Sequence, residues 1–397
     1  MNQAHTTGDR IREIRKRRGR TQRALAESSG VSLSLIKKLE QGDYGDVRLE
    51  TLHRLAVTLR VPTTALATQP DAEQPEREDF EQWAPVRHAL AGSAESEPAE
   101  EPTPDGLRNA VDMAVSALLD SRYAELRTVL PALLRDADTL VSISVNGGES
   151  EARRLRSQVR QITAYMMGQT WQFPAANDAI ELAIDDASDE LTAMAATDWK
   201  CWGMIRQGRL AETRALASRW ADDAEPRMSK ARAEELVAWG RFLILVSTAA
   251  VRDNRPGEAR DALKLARIAA TGISREVIPA FNPWQVFGPM TVAMVQAENA
   301  MIQDRPDVTL EIGTQIAGRD FPLPRNWNRH RLDMAHAHTS MRQYGEAVGV
   351  LQEVRRAAPE WLAQQRYARD ILRKIIEHRR TLTTEMRDLA DFVHLAL

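Results

Sequence analysis

The chain has 397 residues, 43% of them hydrophobic, with a formal net charge of −3 and a single cysteine. That length exceeds one small core, so two or more domains are expected; the lone Cys201 excludes an intrachain disulfide and fits a reducing cytoplasm. The first residues carry no apolar signal-like run and the longest apolar stretch, at 242–251, is too short to span a bilayer, so neither secretion nor a membrane is expected.

Alanine, leucine, arginine and glutamate dominate and aromatics are only 5%, which favours an all-α chain. Charge is unevenly spread. Residues 1–60 hold 13 basic and 7 acidic side chains, against 40 and 49 in the remainder. A basic head on an acidic body suggests that the head meets a polyanion.

Short helices follow one another in residues 8–67. DRIREIRKRR places Ile11 and Ile14 on one face, and Gly19 stops it. Thr21 caps QRALAESS, Gly30 frees the turn, Ser32 caps LSLIKKLEQ and Gly42 ends it. Leu49, Leu52, Leu55, Ala56 and Leu59 form the apolar stripe of a fourth helix; Pro62 breaks the pattern and TTALA makes a last turn. Two helices joined by a glycine turn in a basic domain of this size make a helix-turn-helix. The second helix enters the major groove with its exposed residues, Ser32, Leu33, Ser34, Lys37 and Lys38, while Ile36 and Leu39 pack inward.

TQRALAESSGVSLSLIKKLEQG closely resembles the Xre, or phage-repressor-like, helix-turn-helix family. The resemblance covers 8–67 and implies a lambda-repressor-like fold. It implies a phosphate contact from Gln22, base contacts from Leu33, Ser34 and Lys38, and an Arg15–Glu40 ion pair. It also implies a phosphate or narrow-groove role for Arg48. Leu33 departs from the common polar residue and can press only on a thymine methyl or a sugar.

The head domain is therefore set at 8–68 and a linker at 69–105. GSAESEPAEEPTPD at 92–105 has three prolines, five acids and no base, as a solvated linker should. Before it, Val86, Ala89 and Leu90 suit a small helix over 80–91 that docks on the body or on the head; Phe80 and Trp83 are not expected to sit bare in water.

From 106 to 397 helices continue with no strand signal. Ala335, Ala347 and Pro359 around QYGE, and Ser247, Ala259, Leu263 and Ala266 around NRPGE, resemble tetratricopeptide repeats at irregular spacing. A weaker match puts Cys201 at a tight helix contact; two further pairs complete the series, and 361–397 supplies caps. The resemblance implies a solenoid whose concave face is lined by the first helix of each pair. Its inner residues are Arg329, Leu332, His336 and Thr339, then Met294 and Glu298, then Arg241 and Thr248, then Asp198 and Trp202, then Gln161 and Tyr165. Mixed polar and apolar groups there suit a peptide or small effector, with Arg329 the first choice for an anion and His336 two turns along the same face.

No catalytic, metal or cofactor constellation stands out. His336 and His338 lack further ligands at metal spacing, Asp185 and Asp186 cannot face one site, and VNGGES lacks the Lys-Ser/Thr of a phosphate loop. An Xre head on a tetratricopeptide-like body resembles the peptide-responsive, quorum-sensing regulators of Gram-positive bacteria; seven lysines among abundant arginine and alanine look actinobacterial. The expectation is a cytoplasmic, homodimeric, non-enzymatic regulator that binds double-stranded DNA and an effector. A DNA-anchored adaptor without small effector and an antitoxin-type repressor are the rivals.

Overall fold

The computed structural model describes residues 6–42, 47–67, 77–92, 100–144, 148–316, 321–379 and 381–395. The acidic linker lies outside the described residues at 93–99, as does Gly147 of VNGGES. Among the described residues the regular structure is helical, apart from one antiparallel bridge between Val277 and Phe287.

The head comprises α1 Thr7–Arg17, α2 Gln22–Ser29, α3 Leu33–Gln41, α4 Leu49–Leu59 and α5 Thr63–Leu66. Thr21 accepts from the Ala24 N–H and Ser32 from the Leu35 N–H, so both expected caps form. Gly30 and Gly42 end α2 and α3 with φ of 69° and 81°, a left-handed conformation that glycine adopts without strain. Ile11, Leu25, Ile36, Leu39, Leu52, Leu55 and Leu59 form the core. The Arg15–Glu40 pair is bidentate, at 2.5 and 2.6 Å, and nearly buried.

Two short helices, α6 Arg77–Gln82 and α7 Ala84–Leu90, follow. Trp83, Val86 and Ala89 bury into the body core, so the docking helix expected at 80–91 packs on the body. Phe80, contrary to expectation, is 41% exposed; the Arg87 guanidinium shields it from 3.7 Å over the ring.

The body stacks helical hairpins into a solenoid. They are α8 Pro104–Leu119 with α9 Tyr123–Ile143, α10 Glu149–Gln169 with α11 Phe173–Asp185, and α12 Glu190–Arg206 with α13 Leu210–Asp223. Next come α14 Ala233–Arg252 with α15 Pro256–Ile273, α16 Pro289–Ile302 with α17 Pro306–Gln315, and α18 Pro324–Ser340 with α19 Tyr344–Ala357. One local device closes all of these hairpins. The middle residue of a three-residue connection has positive φ: Ser121 58°, Trp171 62°, Gly208 71°, Asn254 54°, Asp304 58° and Arg342 60°. The next residue then donates its N–H to a carbonyl one turn back, as Arg122 does to Ala117 and Gln343 to His338, both at 2.8 Å. Small residues let the paired helices meet: the Ser247 hydroxyl donates to the Ala259 carbonyl at 2.7 Å, and Ala335 and Ala347 are fully buried. Cys201 is fully buried too, and burial pushes its thiol pKa up, as a packing residue requires.

The chain ends in α20 Pro359–Ala363, α21 Arg366–Glu377 and α22 Thr384–Phe392. Ile371, Leu372, Ile375, Met386, Leu389 and Val393 are all covered within the chain. This end returns to the start of the solenoid. The Ala124 N–H donates to Glu360 at 2.8 Å, and the Arg366 guanidinium lies 3.8 Å over the Trp171 ring. Between α15 and α16 an irregular segment folds back on α14. Its Trp284, Val286 and Phe287 are fully buried, and the Phe287 ring sits directly on Gly240.

Candidate nucleic-acid interface and a groove between head and body

On α3 the side chains of Ser34, Lys37 and Lys38 are exposed, as is the cap Ser32, and Leu33 is half-buried. Ile36 and Leu39 hold the other face in the core. This leaves a short polar and basic surface at the start of a fixed helix, the shape and charge that a major groove accepts. Gln22 stands half-buried at the start of α2, its amide donating to Glu40 at 2.9 Å. Arg48 departs from expectation. Its guanidinium reaches across to Asp370 of α21 at 2.6 Å, so here it ties head to body and does not extend α3's surface.

The head docks on the body at two places, through the start of α4 and around α5. Glu50 pairs with Lys374 of α21 at 2.9 Å. At the α14–α15 turn the Arg252 carbonyl accepts from the Thr63 hydroxyl (2.8 Å) and His53 Nδ1 (2.9 Å), and Asp253 accepts from the Thr64 N–H and hydroxyl (2.9 and 2.8 Å). Asn254 donates to the Val61 carbonyl at 3.1 Å.

Head and solenoid border a half-open cavity of about 2180 Å³, lined on the body side by first helices of the hairpins and by α21. Tyr165, Trp202, Arg241, Met294, Glu298, Arg329, His336 and Thr339 all line it. Leu332 does not. It is fully buried in the core with Leu351 and Leu372, because the inner face of α18 follows Arg325, Arg329, Asp333 and His336. Gln161 is likewise buried, bonded to Ser157.

Arg329 reaches the cavity already neutralised. It donates to Asp333 at 2.7 Å and Glu298 at 2.8 Å, and Arg252 shares Glu298 at 2.6 Å. Burial disfavours charge on Glu298, but Arg252 and Arg329 outweigh it and hold the pKa down at about 2. At Asp333 burial wins over Arg329, with Glu298 adding to it, and the pKa rises to about 6. The Tyr367 hydroxyl donates to Asp333 and so accepts from His336 Nδ1–H, at 3.0 Å each. His336 Nε2 then accepts from Lys374 at 3.1 Å, which fixes a neutral tautomer; burial and then Lys374 push its pKa down to about 4. Arg241 is paired too, with both Asp198 oxygens at 2.9 Å.

His330 is 2% exposed, neither ring nitrogen has a partner, and burial, then Arg329, depresses its pKa to about 4. Both histidines take up protons more readily unfolded, near the ordinary value of about 6.5. Their contribution to stability is full above that value and is lost as pH falls toward 4; raised Asp333 works the other way between about 6 and its unfolded value. Among these three groups the two histidines outweigh Asp333, so together they lower the melting temperature at pH 5 relative to pH 7.5. His330→Leu should shrink the difference, and an unchanged difference would refute the assignment.

Sequence reasoning missed part of the lining. Trp171, Trp199, Arg206, Arg325 and Tyr367 face the cavity with the expected residues. Arg206 and Trp202 sit four apart on α12, a spacing that could have paired them. Among the described residues no group of three or more His, Cys, Asp and Glu side chains is placed to hold a metal, and no helix is long and apolar enough to cross a membrane.

Comparisons with known proteins agree on the head. Over 55 residues the chain is 40% identical to an uncharacterised HTH-type transcriptional regulator, RghRB, of Bacillus subtilis (strain 168); the match covers 14% of this chain. The chain thus spans only 40% of that relative's length. No solved structure matches the chain. Residues 11–66 match the helix-turn-helix family model, so the N-terminal unit is an Xre-like helix-turn-helix domain.

Proposed function

We propose that the chain is a sequence-specific DNA-binding transcriptional regulator with a tetratricopeptide-like sensing body. The observation that carries this reading is the exposed polar and basic surface of Ser32, Ser34, Lys37 and Lys38 on a helix whose other face is fixed in the head core. The relative's name points the same way. Lys38→Ala should cost about 1–3 kcal/mol on the preferred site and relax one base position. Gln22→Ala should weaken specific and random DNA more equally. Unchanged specific binding by Lys38→Ala at fixed salt would remove α3 as the reading helix.

The body takes a peptide or small effector in the groove. A concave groove lined by polar and aromatic side chains supports this over a flat protein-docking surface. Because the cavity is walled by head and body together, a ligand touches both sides of the Glu50–Lys374 and Arg48–Asp370 contacts. A ligand shifts head placement only by its difference in affinity for the two arrangements, so DNA affinity should change about 5- to 150-fold. The chain acts as a homodimer assembled through the body, its two heads reading half-sites about 34 Å apart or a multiple of that. Leu265 and Ile268 on the outer face of α15 are 43% and 50% exposed and offer one apolar patch for it. Sedimentation of the full chain at micromolar concentration should give a dimer; a monomer would exclude that arrangement.

A further inference from the structure

We propose that the end of the cavity between α10, α12 and α18 is an anion subsite. There Arg206 and Arg325 receive an oxyanion carried on an aromatic ring. This rests on the reading of the groove as an effector site and names the chemistry of the effector.

Among the inner arginines, Arg241, Arg252 and Arg329 each hold a carboxylate. Arg206 and Arg325 hold none among the described residues. Arg325 is 7% exposed; its Nη2 donates to the Trp284 carbonyl at 2.6 Å, and its buried Nη1 has no partner. Nε and Nη2 of Arg206 are also buried without a partner. Unpaired guanidinium nitrogens out of water are costly, so an anion that bonds to them is favoured.

What surrounds the two cations is aromatic. Arg206 lies over Trp171 at 4.7 Å and Trp202 at 5.1 Å, and Arg325 over Tyr165 at 4.8 Å and Trp199 at 5.2 Å. Tyr165 contacts both Trp199 (4.7 Å) and Trp202 (5.2 Å), so the arginines border one ring cluster. Both also act on the same buried hydroxyl, opposing the rise that burial imposes on Tyr123. The Trp199 indole N–H is a further buried donor without an acceptor. Trp171, the one aromatic residue among the positive-φ positions that close the hairpins, also lines the cavity and adds a ring to the cluster. Unpaired cations give an oxyanion its partners, and the rings give a flat apolar body its contact.

The probe is 1-anilinonaphthalene-8-sulfonate, with neutral N-phenyl-1-naphthylamine as its uncharged counterpart, titrated into the full chain and read by fluorescence. The sulfonate should bind about tenfold tighter than the neutral dye, the gain of one charge-assisted contact. Arg206→Gln and Arg325→Gln should each remove that advantage and leave the neutral dye within about twofold. If Arg325→Gln fails to fold because Trp284 loses its donor, Arg206→Gln decides, since its buried Nε and Nη2 have no hydrogen-bond partner. Equal binding of the two dyes, or sulfonate binding untouched by Arg206→Gln, overturns the subsite. Displacement by indole-3-acetate identifies a small aromatic acid; displacement by Gly-Gly-Trp with a free carboxylate identifies a peptide C-terminus. Equal displacement by Gly-Gly-Trp amide counts against the subsite. Binding to a DNA fragment selected from a random pool is then measured with the displacing acid present. Arginine-dependent binding with unchanged DNA affinity keeps the subsite and removes the effector reading.

Discussion

Glu40→Ala is expected to destabilise the head by about 3–5 kcal/mol, the usual cost of leaving one member of a buried ion pair alone. The Arg15 and Glu40 side chains are 9% and 3% exposed and joined by two hydrogen bonds of 2.5 and 2.6 Å. Arg15 also donates to the Arg20 carbonyl at 2.7 Å, so the pair fixes the α1–α2 connection as well as the α1–α3 contact. Removing the carboxylate strands a guanidinium in the core and releases the Gln22 amide from its acceptor. A small helical domain has only about 5–15 kcal/mol in total, so most of the head's stability would go. The head should melt as a separate, earlier transition in calorimetry, with the body's transition little changed. DNA binding should fall at every sequence. Replacing both partners by apolar residues, Arg15→Met with Glu40→Leu, should recover much of the loss, because an intact buried pair is worth little more than good apolar packing. A single unshifted transition in Glu40→Ala would show that the pair is solvated and the argument unsound.

The head was legible because its signals are local. Thr21, Ser32, Gly30 and Gly42 each act on backbone within one turn, and they do so in the structure as their types require. The body's repeat was legible only in part, because its turn chemistry is hidden. Of the positive-φ positions that close the hairpins, Gly208 alone is a glycine; Asn254 and Asp304 tolerate the conformation better than most residues, whereas Ser121, Trp171 and Arg342 give no such signal. The repeat resemblance placed the inner face of α18 well enough to find Arg329 and His336, yet Leu332 lies to one side of that face and is core. Whether an inner arginine is free could not be read at all. Arg329 and Arg48 are engaged by Glu298, Asp333 and Asp370, and those pairings link segments far apart in sequence. The same long-range pairing leaves Arg206 and Arg325 without carboxylates.

Gly240→Ala tests the segment that departs from the repeat. In the middle of α14 an alanine would ordinarily gain about 1 kcal/mol of helix propensity over glycine. Here a Cβ would lie 2.1 Å from Cζ of Phe287 and 2.5 Å from both neighbouring ring atoms. The ring is fully buried, and its backbone is pinned by two 3.0 Å bonds with Val277, so it cannot withdraw without opening the bridge. The overlap should cost about 3 kcal/mol or more, at or beyond the upper end for overpacking, and the sign of the propensity rule reverses. Phe287→Leu in the same chain should relieve it. The double variant should be more stable than the sum of the two single losses, a coupling expected of residues in contact. The effect should also reach the groove. Trp284 and Gln285, in the same segment, hold Arg325 at 2.6 Å and Asp198 at 3.3 Å. Gly240→Ala should therefore loosen sulfonate binding as well as lower the urea midpoint, and Phe287→Leu should restore both in part. Additive losses in the double variant would mean that Phe287 and Gly240 do not meet, and that the segment is not what fixes Arg325.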